Sequence, residues 1–191
     1  MKRWMVIAIG VIVGLLVVAG IVLGVAAWRN KGTGTAIPSN VANGPGSVAW
    51  EGACIYTNSL AVAEKDPANV CSLDLFSQNL TEIPASVFTM TNIEYLNLAN
   101  NDIKDVPSDI GNLTRLKWLY LNQNPITVLP DSISKLKDLQ MLAAEEDEIT
   151  AMPSDMTGMA NLQAIILQGN PLPPPEVTRV KTAFAKASVI Y

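Results

Sequence analysis

The residues able to carry chemistry in this 191-residue chain are few: a run of four acids, Glu145-Glu146-Asp147-Glu148, two cysteines, Cys54 and Cys71, and no histidine. Without histidine there is no imidazole base, no Ser-His-Asp triad and no HExxH zinc helix. Two cysteines fall short of a four-cysteine zinc site. The acidic run offers carboxylate oxygens to Ca²⁺ or to a basic partner. It lacks the spacing and the internal glycine of an EF-hand loop, so the plainer reading is a solvated turn. No nucleophile stands in a pattern with a base. The expectation is therefore no enzyme, no cofactor and no metal. What remains is a set of aromatic and polar residues, Tyr95, Asn97, Trp118, Tyr120, Asn122, Met141 and Glu145. They have the composition of an interface hot spot, provided one face gathers them.

The elements that would gather them repeat. Apolar residues recur as Val70-x-x-Leu73-x-Leu75, Ile93-x-x-Leu96-x-Leu98, Leu116-x-x-Leu119-x-Leu121, Leu139-x-x-Leu142-x-Ala144 and Leu162-x-x-Ile165-x-Leu167, each start 23 residues after the last. Ten residues after each start stands Leu80, Ile103, Ile126, Ile149 or Leu172. Pro84, Pro107, Pro130 and Pro153 follow at a constant fourteen. Alternation within L-x-L turns one face of a short strand inward. The proline opens a helical or 3₁₀ turn, where its missing N–H costs nothing. A single unit cannot bury its apolar side, but stacked units share one core. The residues between the core positions then point outward as rows: Ser72, Tyr95, Trp118, Met141, Ala164; Asp74, Asn97, Tyr120, Ala143, Ile166; and Phe76, Ala99, Asn122, Glu145, Gln168. An aromatic patch on a strand surface is either a binding site or ordinary cross-strand packing.

Over residues 70–172 this pattern resembles the leucine-rich repeat family, LxxLxLxxNxLxxLPxxIxxLxx, and its 23-residue class looks like that of bacterial and intracellular Ras-group members. The resemblance implies an α/β solenoid of five repeats, with a parallel sheet on the concave face, short helical or 3₁₀ turns on the convex face, and a protein or peptide ligand. The family's asparagine position holds Gln78, Asn101, Asn124, Asp147 and Asn170. An asparagine both donates and accepts, whereas an ionised Asp147 only accepts. Asp147 and Ala144, where the family has leucine, together predict a looser fourth repeat.

Ahead of the repeats, residues 5–27 are uncharged and apolar, between Trp4 and Trp28. At about 1.5 Å per residue they form a helix long enough for a hydrocarbon core of about 30 Å. The run exceeds an ordinary signal-peptide core of about 7–15 residues, so an uncleaved anchor is expected over a cleaved signal, for which Val25-Ala26-Ala27 would be the cleavage region. Basic residues tie at two on each side (Lys2 and Arg3; Arg29 and Lys31). The short N-terminal flank favours a cytoplasmic N-terminus, which would place the repeats outside the cytoplasm. Gly10-x-x-x-Gly14 and Gly20-x-x-x-Gly24 permit helix pairing, hence a possible homo-oligomer. Beyond residue 31 nine basic side chains face 17 acids, a net charge of −8, which disfavours nucleic acid.

The expected organisation is a flank 1–3, a transmembrane helix 4–28, a flexible linker 29–47, an N-terminal cap 48–69 with a helix over 59–66, repeats 70–172, and a C-terminal cap 173–191. That last cap should consist of a helix over 176–187 and an edge strand over 188–191. Cys54 and Cys71 pair as a disulfide if the domain is exported, or pack as two reduced residues. Asn79-Leu80-Thr81 and Asn112-Leu113-Thr114 match the glycosylation sequon, a weak signal in an Asn-rich repeat. The functional expectation is a single-pass membrane protein displaying a partner-binding face. Its rival is an envelope scaffold that assembles through the solenoid or the membrane helix.

Overall fold

The computed structural model describes residues 54–191. The expected transmembrane helix, the linker and the first part of the cap lie outside the described residues. Among the described residues, no helix is long and apolar enough to cross a membrane.

Seven strands form one sheet in chain order, every neighbouring pair parallel. They are β1 (Ile55–Thr57), β2 (Val70–Asp74), β3 (Tyr95–Asn97), β4 (Trp118–Tyr120), β5 (Met141–Ala143), β6 (Ala164–Ile166) and β7 (Ser188–Ile190). From β2 to β6 the register advances by one repeat per strand, so Leu73, Leu96, Leu119, Leu142 and Ile165 lie side by side. All five are fully buried. The ladder continues past the strands: Leu75, Leu98, Leu121, Ala144 and Leu167 each donate a backbone N–H to the next strand, at 2.7–2.9 Å.

Behind the sheet, 3₁₀ turns follow three of the four prolines, at Ala85–Thr89, Ser108–Asn112 and Asp131–Lys135. Each sends an apolar residue inward at its third position, where Val87, Ile110 and Ile133 are fully buried, and the first turn buries Phe88 as well. After Pro153 the chain makes only bends and turns. There Asp155 Oδ1 accepts from both the backbone N–H and the hydroxyl of Thr157, a local closure that competes with helical turns. The irregular stretch sits in the same repeat as Ala144 and Asp147.

Two features were not anticipated. The first is β1, which adds a parallel strand before the first repeat, with a bulge between Ile55 and Tyr56. The second is a row of left-handed residues, Ser77, Asn100, Gln123, Glu146 and Gly169, spaced at the repeat and placed one residue before each family asparagine position. Positive φ reverses the chain after each strand and turns the next side chain beneath the sheet.

The caps differ in extent from expectation. The N-terminal helix, α1, covers only Leu60–Ala63. It stops because Asp66, preceding Pro67, is held at φ −148° and ψ 67°, outside the helical region that a following proline disfavours. At the other end, α2 (Pro174–Ala183) starts two residues earlier than expected, since prolines are tolerated in a first helical turn. Glu176 and Arg179 of α2 pair with each other and bind the fourth repeat. The Met152 N–H donates to Glu176 Oε1 at 2.6 Å, and Arg179 donates to the Met152 and Pro153 carbonyls at 2.7 and 3.0 Å. Cys54 and Cys71 are joined by a disulfide that ties the residue just before β1 to β2, with Cα atoms 5.3 Å apart.

A candidate protein-binding face

Below the sheet, the asparagine positions decide how firmly each turn is held. Asn101 accepts backbone N–H bonds from Gln78 and Leu80 at 2.9 and 3.0 Å, and its amide donates to the Leu75 and Leu98 carbonyls at 2.9 and 2.8 Å. Asn124 accepts from Ile103 and donates to Leu98 and Leu121. Asn170 accepts from Ile149 and donates to Ala144 and Leu167. Gln78 stands apart, bonding only its own turn at the Phe76 carbonyl. Asp147 accepts one bond, from the Asn124 N–H, and its Oδ2 is buried without a partner. Burial, partly offset by that bond and reinforced by Glu145, pushes its carboxyl up to about 7.

The opposite face of the sheet presents two rows. One runs Tyr56, Ser72, Tyr95, Trp118, Met141, Ala164, Ser188 in register, the other Asp74, Asn97, Tyr120, Ala143, Ile166, Ile190. Tyr95 and Tyr120 meet diagonally across β3 and β4, with ring centroids 5.4 Å apart and planes tilted by 46°. That spacing is typical of favourable aromatic pairs. Burial raises both phenols above their ordinary value, and the Asp74 charge adds to the rise at Tyr95. The two hydroxyls therefore stay neutral donors at physiological pH. Trp118 is half-buried beside Tyr95.

The sheet brings Tyr95, Asn97, Trp118 and Tyr120 onto one face of adjacent strands. Asn97 spends its Oδ1 on the Ala99 N–H at 3.0 Å, closing its own turn. Asn122 and Glu145 follow β4 and β5, half-buried, with burial and then Glu146 raising the Glu145 carboxyl. Met141 corrects the expectation of an exposed side chain, being only 1% accessible. Its register neighbours are Trp118 and Ala164, and a flexible thioether between a large ring and a methyl is covered rather than displayed. Ala143, Ala164 and Ile166 around it are buried too. The acidic run does not converge as a cation loop. Glu146 Oε2 is engaged by Gln123, Asp147 points beneath the sheet, and no group of three or more acids and cysteines among the described residues is arranged to hold a metal.

Tyr56 was missed because a three-residue strand leaves too short an alternation to read. It is 41% exposed at the head of the aromatic row. Phe76, 49% exposed, and Asp74 were legible as outward positions but not as members of a site.

A parallel sheet with one strand per 23 residues, buried asparagines beneath it and an aromatic face above it define a solenoid of the leucine-rich type. Residues 77–171 match the leucine-rich repeat region family, and the chain is a leucine-rich repeat protein. No curated protein matches it. Among solved structures, it is similar to a leucine-rich-repeat protein of Leptospira interrogans, with 26% identity, a TM-score of 0.53, and coverage of 64% of this chain and 36% of that one. It is also similar to the plant peptide hormone receptor RGFR1 in complex with RGF2, at 29% identity and TM-score 0.50, covering 54% of this chain and 17% of the receptor. An internalin of Listeria monocytogenes shares the fold at 19% identity and TM-score 0.53, over 70% of this chain and 44% of the internalin. This chain thus spans less than half the length of each. Leucine-rich-repeat domains typically serve protein–protein interaction, and the fold is typically a binding scaffold without catalysis.

Proposed function

We propose that this chain displays a leucine-rich-repeat domain from a membrane and binds a protein or peptide partner outside the cytoplasm through the open face of its sheet. Residues 4–28 serve as the anchor, with the N-terminus in the cytoplasm, and residues 29–47 as the spacer. One observation carries the reading: Tyr95, Trp118 and Tyr120 stand together on β3 and β4, on the face away from the core. Aromatic side chains on a rigid frame supply large contact area at small entropic cost. The disulfide agrees with export, because such bonds persist in oxidising compartments. The likeness to a hormone receptor solved with its peptide is compatible with a peptide-sized ligand.

Crosslinking capture with the full chain, wild type against the Trp118→Ala/Tyr120→Ala double variant, tests the face. A specific partner should be lost in the variant while its circular dichroism still reports a folded domain at the assay temperature. Equal capture by both proteins sinks the assignment. Protease added to intact cells should cut within residues 48–191; protection of that region overturns the topology.

A further inference from the structure

The open face carries acceptors without donors at two separate places. Asp74 is the single charged side chain in the seven described strands. Its Oδ1 accepts the Phe76 N–H at 3.0 Å, and its Oδ2 has no donor among the described residues. Beyond β5 stands Glu145, half-buried, whose carboxylate has neither a hydrogen bond nor an ion pair among the described residues. One repeat before it, Asn122 has a buried Oδ1 that also lacks a donor. Lys117, just before β4, pairs with Glu94 at 2.9 Å rather than with either place. Asp74, Asn97, Tyr120 and Ala143 lie side by side in register, so three strand spacings, about 14 Å, separate β2 from β5. Glu145 lies two residues further along, which brings the backbone separation of the two acids to about 16 Å. Between them stand Tyr95 and Tyr120, with ring centroids 5.4 Å apart, and Trp118 beside Tyr95.

Resting on the binding-face reading above, we propose that the partner lays an extended basic segment across the strands, one cationic side chain on Asp74 and a second, four residues away, on Glu145. The spacing follows from the period of an extended chain. Side chains on one side of it recur every second residue, and four residues advance about 13 Å. The long stems of lysine or arginine cover the few ångströms that remain. The residue midway faces the same side and meets the Tyr95 and Tyr120 rings, so it should be apolar. At each end a cation supplies the missing donors in charge-assisted hydrogen bonds, which are stronger than neutral ones. The net charge of −8 beyond residue 31 draws such a segment in, whereas an acidic segment would meet its own sign at both ends.

The test is a random twelve-residue peptide display library selected on the full chain held in lipid nanodiscs, followed by fluorescence anisotropy with the enriched peptides. The inference expects two basic residues four apart with an apolar residue midway. Replacing either basic residue by glutamine should weaken binding about threefold, and replacing both about tenfold. Asp74→Asn, which keeps the oxygen that caps Phe76, and Glu145→Gln should each give a similar loss with the enriched peptide. Neither should cost more once the matching basic residue is already neutral. Peptides without the paired basic residues, or indifferent to Asp74→Asn and Glu145→Gln, that still fail on Trp118→Ala/Tyr120→Ala would overturn the basic segment and leave the binding face standing. Peptides indifferent to every one of these variants, or no enrichment at all, would overturn both.

Discussion

The Asn124 backbone N–H donates to Asp147 Oδ1 across 2.7 Å, while Asp147 Oδ2 is buried and bonded to nothing. At the equivalent place Asn101, Asn124 and Asn170 put an amide that donates to the carbonyls three and twenty-six residues back. An ionised Asp147 therefore turns an acceptor toward acceptors, whereas a protonated one can donate. The titratable neighbours, Glu145, Glu146 and Glu148, are all acids, and the turns on either side contribute the uncharged Gln123, Asn124, Gln168 and Asn170. The folded carboxyl, near 7, lies above its unfolded value of about 3.9. The folded state thus holds a proton that the unfolded state has released. The stability this group contributes is full below about pH 4 and falls as pH rises through 7. Asp147→Asn should flatten most of that fall and stabilise the protein at pH 8 by about 1–3 kcal/mol. Denaturation of both proteins at pH 5, 6.5 and 8 checks it; parallel curves would contradict it.

Glu146 holds a left-handed backbone, φ 54°, at the place where the next repeat has Gly169 at φ 82°. Left-handed conformation costs a non-glycine residue about 1–2 kcal/mol. Glu146→Gly relieves that strain and loses only the exposed bond from Gln123. A midpoint raised by the equivalent of about 0.5–1 kcal/mol is expected, after the extra unfolded-chain entropy of glycine is subtracted. An unchanged or lower midpoint would argue that the Gln123 contact matters more than the strain.

Gly158 is constrained by space. A Cβ built there would lie 1.8 Å from the Ser134 carbonyl oxygen, a backbone atom of the preceding turn. Gly158→Ala must push two repeats apart and should cost more than about 2 kcal/mol. Equal urea midpoints for wild type and variant would show that the irregular turn after Pro153 yields instead.

The Cys54–Cys71 bond closes a loop with a sequence separation of 17. Chain-entropy reasoning gives about 3 kcal/mol for a loop of that size. Reductant, or the Cys54→Ser/Cys71→Ser pair, should lower the unfolding midpoint by that equivalent. The loss should appear first as faster amide exchange in β1, which has one neighbouring strand. Uniform destabilisation with β1 still protected would place the effect elsewhere.

Much of this molecule was legible before it was folded. The inward residues Leu73, Leu96, Leu119, Leu142 and Ile165 follow from a strand period of two within a 23-residue repeat, and so does the outward placement of Tyr95, Trp118 and Tyr120. The weakness at Asp147 follows from counting donors. Less was legible at the edges. Tyr56 lies on a three-residue strand that forms because β2 offers it an edge, and the left-handed row involves Ser, Asn, Gln, Glu and Gly, too mixed a set to signal one backbone conformation. The third and fourth turns, after Pro130 and Pro153, read alike, yet one is a 3₁₀ turn and the other is not.

Period and polarity alone determined which way each repeated side chain faces, because that alternation is local backbone geometry. Only the stacked structure decided which side chains meet. Tyr95 reaches Tyr120 rather than standing alone, Met141 is covered, and Ser72 lies between two tyrosines. Each of these depends on register between strands separated by a whole repeat of chain, and on the volume of neighbours that the intervening residues do not specify.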